Sequence, residues 1–113
     1  MSSTVLEELD GVLAGAGDAD DALRAVVALL ARQPEIAWAG ILFREEGTLV
    51  LGPQAGSVDE TRRVRTPIAY HGDEVGELAV DGAPAQELLD RIATAIAPYA
   101  LLGWDTRGEA WEP

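Results

Sequence analysis

The sequence predicts an α+β domain: an antiparallel sheet of about four strands, with helices from both termini packed against it. Two observations predict it. Apolar residues recur at helical spacing near each end of the chain, and two strand pairs with short Gly-containing turns lie between them. The order of elements is helix, helix, hairpin, hairpin, helix.

Ser2 to Leu13 puts Val5, Leu6, Leu9, Val12 and Leu13 on one helical stripe, and Thr4 to Glu7 fits a capping box at its start. Gly15-Ala16-Gly17 breaks the pattern. Asp18 is placed to cap a second helix whose stripe is Leu23, Val26, Val27 and Leu30. Its first turn carries Asp20 and Asp21, where the helix dipole favours negative charge, and Pro34 ends it.

Ile36 to Phe43 is apolar on both alternating faces, as a central strand would be, with Ile36, Trp38, Gly40 and Leu42 sharing one face. Glu45-Glu46-Gly47 turns it into a strand Thr48 to Leu51, which Gly52-Pro53 assigns to a sheet edge because proline cannot donate to a ladder. A polar link, Ser57 to Thr61, follows. Arg63 to His71 alternates Val64, Thr66, Ile68 and Tyr70 against Arg63, Arg65, Pro67 and Ala69. Gly72-Asp73 turns the chain into Val75 to Asp81. Pro84 then opens a helix with Leu88, Leu89, Ile92, Ile96 and Tyr99 on its apolar side, kinked by Pro98 and ended by Gly103. Residues 1–103 thus read as one domain and 104–113 as an acidic tail.

Composition narrows the chemistry. With 48% apolar residues in 113, the chain folds despite a net charge of -12. It has no Cys, so thiolate nucleophiles, disulfides and Cys-ligated metals have no source. Its positive charge is 8 Arg and no Lys, too little for a nucleic-acid surface, and the acidity disfavours anionic membranes. Neither a signal peptide nor a membrane span is apparent, which gives a cytoplasmic expectation.

Trp38-Ala39-Gly40, Leu49-Val50-Leu51-Gly52-Pro53 with Gly56, Pro67-Ile68 and the stretch Gly72 to Asp81 resemble the GAF domain, and within it the free methionine-R-sulfoxide reductase branch. The resemblance implies a ligand pocket walled by an insertion between the two hairpins, and that insertion carries the branch's catalytic cysteines. Here Gly56 and Arg62 are separated by a short link only. Trp38 and Asp81 match the branch's pocket positions. Leu42 stands for an aromatic residue, Arg63 for an acidic one and Ala79 for a second aspartate. GAF domains often pair through terminal helices, which implies a homodimer here, with Val5, Leu9, Val12 and Leu13 in the seam.

The ligand-binding candidates are Trp38, Arg63, Arg65, Tyr70 and Asp81. Each also has a plain structural reading. Trp38 is core or a ligand platform; Arg63 and Arg65 fork onto a ligand's carboxylate or phosphate, or pair with the chain's own acids. Asp81 caps the following helix or binds. The lone His71 sits at a turn with only Asp73 near it, and no second His or Cys exists to build a metal site. No catalytic residue, metal or cofactor is therefore expected. The chain reads as a stand-alone, non-catalytic GAF-like module acting through self-association and contact with another protein, and not as an enzyme. The alternative is a small-molecule sensor with a reduced pocket around Trp38, Tyr70 and Asp81.

The charge generates a prediction. At about 0.01 M salt the Debye length is roughly 30 Å and self-repulsion acts across the molecule. The melting temperature therefore rises with sodium chloride from about 0.01 to 1 M. A melting temperature indifferent to salt would show that the acids are compensated locally.

Overall fold

The computed structural model describes residues 2–15 and 17–104. Its elements are α1 (Ser2–Gly15), α2 (Ala19–Ala31), β1 (Ile36–Glu45), β2 (Thr48–Gly56), a 3₁₀ turn (Glu60–Arg62), β3 (Arg63–Tyr70), β4 (Asp73–Gly82) and α3 (Gln86–Trp104). The α+β class and the hairpin order are as expected. Ala16 and the acidic tail from residue 105 onward lie outside the described residues.

Local chemistry sets most boundaries. The Asp18 carboxylate accepts from the Asp21 N–H at 2.9 Å and starts α2. Both hairpins turn through two left-handed residues, Glu46-Gly47 with φ 51° and 82° and His71-Gly72 with φ 53° and 87°. That geometry suits the twist of the flanking strands. The second turn is thus His71-Gly72 and not Gly72-Asp73. At the helix ends three expectations are corrected. Thr4 lies inside α1, so it does not cap it; α3 begins at Gln86, beyond Pro84; and it runs through Pro98 and Gly103 to Trp104. The first backbone bonds of α3 fall on the Ala85 carbonyl, which leaves Pro84 outside.

The sheet order is β2-β1-β4-β3, all antiparallel, so the doubly apolar β1 is interior and β2 is an edge. Helices α2 and α3 lie side by side on one face, α2 over β1 and β2 and α3 over β3 and β4. Ile41 and Phe43 of β1, Ile68 of β3 and Leu78 and Val80 of β4 meet Leu23, Val26 and Leu30 of α2 and Leu89, Ile92 and Ile96 of α3 in one core.

Among the described residues three register shifts interrupt the sheet: one between β3 and β4 leaves Val75 as the extra residue, and two involve β1 and its partners. In β2, Leu51 opposes Leu42 and Gln54 opposes Gly40, so Gly52 and Pro53 together stand against Ile41. The extra residue accommodates a proline that has no N–H to give, and it carries β2 past the expected end at Leu51. In β1, Ile36 opposes Gly82 while Trp38 opposes Asp81, which leaves Ala37 as the extra residue. Ile36 consequently joins the helix-side core and Trp38 does not. The expectation that they share a face is corrected.

Helix α1 is the third layer, packed on the outside of α2 and α3. Val5 and Leu9 are 7% and 1% exposed within this one chain, and Val12 and Leu13 are half-buried against the same core. The seam expected between two copies is therefore largely filled inside one, because α2 and α3 together expose a groove that α1 covers. Leu9→Ala then costs about 2–5 kcal/mol, as a deleted core side chain does. Urea unfolding measures it; a loss below about 1 kcal/mol would place α1 outside the core.

Candidate functional site

The face of the sheet opposite the helices carries the side chains that the sequence singles out. One row crosses all four strands: Gly56 opposes Trp38, Trp38 opposes Asp81, and Asp81 opposes Arg63. Residues directly opposite one another point to the same side, so this register alone brings three of the candidates together.

Asp81 is completely buried. An unpaired carboxylate there would be costly, and the surrounding groups satisfy it. Arg63 Nε donates to Oδ1 at 2.7 Å and Nη2 to Oδ2 at 2.9 Å, a two-pronged fork. The Asp59 N–H, from the link after β2, adds a third bond to Oδ2 at 2.7 Å. The hydrogen bonds from Arg63 hold the Asp81 carboxyl below the usual carboxylate range, against the upward push of burial, with the Asp59 N–H assisting. In return, the bond to Asp81 raises Arg63 above its ordinary value.

The same guanidinium lies over the Trp38 ring, its Cζ 4.4 Å from the ring centroid, a cation–π contact. The indole is fixed from two further sides. Its Nε1 donates to Gln54 Oε1 at 3.0 Å, and its ring lies so close over Gly40 that a Cβ there would stand 2.5 Å from Cη2. Only glycine leaves that space. Trp38 is thereby 3% exposed with no helix above it. Its neighbours in this role are Gln54 and Arg63, so it is neither the plain core residue nor the open platform of the two sequence readings.

The other candidates stand elsewhere. Arg65 shares this face but is more than half exposed, with Nη1 3.6 Å from Glu77 Oε1. Tyr70 is at the far end of β3, opposite Asp73, stacked on His71 with ring centroids 4.1 Å apart. Seven residues of strand separate it from Arg63, about 23 Å at 3.3 Å per residue. The pocket expected around Trp38, Tyr70 and Asp81 is corrected: Tyr70 does not belong to it. Asp81 does not cap α3 either, since its oxygens are taken by Arg63 and Asp59. On the helical side an open groove of about 530 Å³ runs between α1 and α3, lined in part by Leu6, Leu9, Asp10, Glu87 and Asp90. Among the described residues no group of three or more His, Cys, Asp or Glu is placed to hold a metal, and no helix is long and apolar enough to cross a membrane.

Sequence reasoning missed Gln54 and Asp59. Gln54 reaches the Trp38 row only through the bulge at Gly52-Pro53, and Asp59 contributes a backbone N–H that any residue type could supply.

No protein-family model and no curated protein matches this chain. Solved structures do. The GAF domain from the Acinetobacter phosphoenolpyruvate-protein phosphotransferase superposes with a TM-score of 0.74 at 13% identity, covering 91% of this chain and 94% of that one. The fRMsr of Staphylococcus aureus, in complex with substrate, gives 0.71 at 16% identity over 88% of this chain and 95% of that one. The type II free methionine-R-sulfoxide reductase from Thermoplasma acidophilum gives 0.62 at 19% identity over 73% and 92%. The chain has the GAF-like fold, and its structural neighbours include the reductase branch named from sequence. The expectation that the chain is not an enzyme is corrected by the same finding: its neighbours include reductases, so a lack of activity does not follow from this architecture. Any catalysis here proceeds without a cysteine of the chain's own.

The fork yields a prediction with a defined sign. Because the folded Asp81 carboxyl titrates below its ordinary value, its contribution is complete above about pH 4 and is lost as the pH falls through the folded value. Arg63→Ala removes the partner of a buried charge and costs about 3 kcal/mol at pH 7. The gap between wild type and variant in urea unfolding closes as the pH falls below about 4, since protonated Asp81 no longer needs the guanidinium. A gap that stays constant with pH would show that Arg63 acts by packing alone.

Proposed function

We propose that the chain is a GAF-like interaction module that meets a protein partner through the helix-free face of its sheet. The observation that carries this reading is the position of Arg63. Its guanidinium occupies the space over Trp38 and beside Asp81, so this cluster of buried polar and aromatic side chains is filled by the chain itself. What the face offers beyond it is a surface. Leu42, Leu49 and Leu51 share that side; the first two are half-buried and Leu51 is 42% exposed. Around them the charges are paired, Arg44 with Glu74 at 2.6 Å and Arg65 with Glu77 at 3.6 Å. An apolar patch rimmed by compensated charge has the character of a protein contact. The fold likeness to a GAF domain of a larger protein agrees with a module of this kind.

One feature favours the sensor reading as the alternative. An aromatic face beside a buried carboxylate is a seat for a cation, and a ligand that displaced Arg63 would inherit it.

Titration separates the two. The indole N–H resonance of Trp38 and the melting temperature are followed while guanidinium, methylammonium or free arginine is added at millimolar concentration. The interaction reading expects no saturable response from the wild type, while Arg63→Ala gains stability with guanidinium. A saturable, micromolar response of the wild type to a small cation would overturn it in favour of the sensor.

A further inference from the structure

Strand β2 is at one edge of the sheet and β3 at the other. Sheet edges carry unpaired backbone donors and acceptors, and proteins ordinarily blunt them with charge or proline. Edge β3 follows that rule, with Arg63, Arg65 and Pro67 along its length. Edge β2 does not. No charged residue occurs between Glu46 and Asp59 in a chain in which 25% of residues are charged. Pro53 is in the bulge, so Thr48 to Leu51 pairs with β1 in unbroken register. The exposed large hydrophobic residues of the described chain are Val50 (40%), Leu51 (42%) and Val58 (57%), and all three fall on or just after this strand.

Deepening the interaction reading, on which it rests, we propose that the β2 edge is a pairing surface for a second copy of this chain. Two Thr48–Leu51 segments run antiparallel about a two-fold axis and join two four-stranded sheets into one. The charge decides the occupant. A chain of net charge -12 repels its own copy over most of its surface, and least where charge is absent. A cationic partner would be drawn to the acidic helices instead. Along an edge strand alternate backbone groups point outward, so the pairing supplies ladder bonds. Leu49 and Leu51 meet their counterparts on the open face, and Val50, which opposes Phe43, meets its own on the helix side. A contact this short buries less than the roughly 1,600 Å² of a standard interface, so the dimer is weak and reversible.

Sedimentation velocity of the full chain tests it, from about 5 to 200 μM protein in low and high sodium chloride. The expected result is a dimer whose population rises with concentration and with salt. Val50→Glu and Leu51→Glu, both at exposed positions, each weaken association by about tenfold or more while circular dichroism and the melting temperature match the wild type. Amide exchange at Thr48 to Leu51 slows with protein concentration. Leu51→Glu carries the test alone if Val50→Glu disturbs the neighbouring core. A wild type that stays monomeric throughout overturns the pairing, and so does a dimer that survives both substitutions but is lost on Leu6→Glu in α1. Neither outcome changes what the small-cation titration reads at Trp38 and Arg63, so the two tests fail separately.

Discussion

A fully buried carboxylate must be paired, and the open side of this sheet is arranged around that requirement. Asp81 lies in the middle of the row that crosses the four strands, so its partner has to reach it along the sheet surface. Arg63 does so from the neighbouring strand, and its remaining flat face then lies on the indole of Trp38. The indole in turn needs the missing side chain of Gly40 and the amide of Gln54. The Asp59 N–H ties the link after β2 to the same carboxylate. Without Arg63 the carboxylate would be desolvated and uncompensated, and the loop, the tryptophan and the bulged edge would lose their common support.

The helices solve the opposite problem. Two of them suffice to cover one face of a four-stranded sheet, and they meet with a groove between them. Helix α1 fills it with Val5 and Leu9, which explains how a short helix containing the unfavourable Gly11 persists: packing, not propensity, holds it. The resemblance places the α1 stripe in a seam between two copies, but helices pack on one another as well as on strands, and here Val5 and Leu9 are buried within one chain.

Much of the fold was legible because its signals are local. The Asp18 cap, the two Gly-containing turns and the doubly apolar run of β1 each act within a few residues. What was not legible depends on register. A single extra residue at Ala37 moves Ile36 and Trp38 to opposite faces, and alternation read from sequence carries no sign of it. The bulge at Gly52-Pro53 similarly hides Gln54 from any reading that ends the strand at Leu51. Tyr70 failed as a site residue for a simpler reason: sharing a strand with Arg63 does not place it near, because a strand extends by more than 3 Å per residue. Trp38 and Asp81 were found because they match pocket positions of the branch the sequence resembles, and Arg63 because an arginine on a strand face can fork onto a carboxylate.

Charges are placed differently on the two sides of the molecule, and the difference follows from how each is built. On the open sheet face Arg44, Arg63 and Arg65 meet Glu74, Asp81 and Glu77, and Arg63 also lies 3.8 Å from Glu60. On the helical side Glu7, Glu8, Asp10, Asp21 and Asp90 stand exposed, with Arg24 and Arg91 already engaged by Asp20 and Glu87. Exposed helical acids are cheap because water solvates them. Charges on a sheet face lie a few ångströms from those of the next strand, where like signs repel strongly and opposite signs attract. Strand register sets the pairs on the sheet face, and i,i+4 spacing sets Arg24–Asp20 and Arg91–Glu87 on the helices, which leaves Glu7, Glu8 and Asp10 of α1 to solvent. The uncharged β2 edge is where a chain of this composition approaches another surface with the least electrostatic penalty.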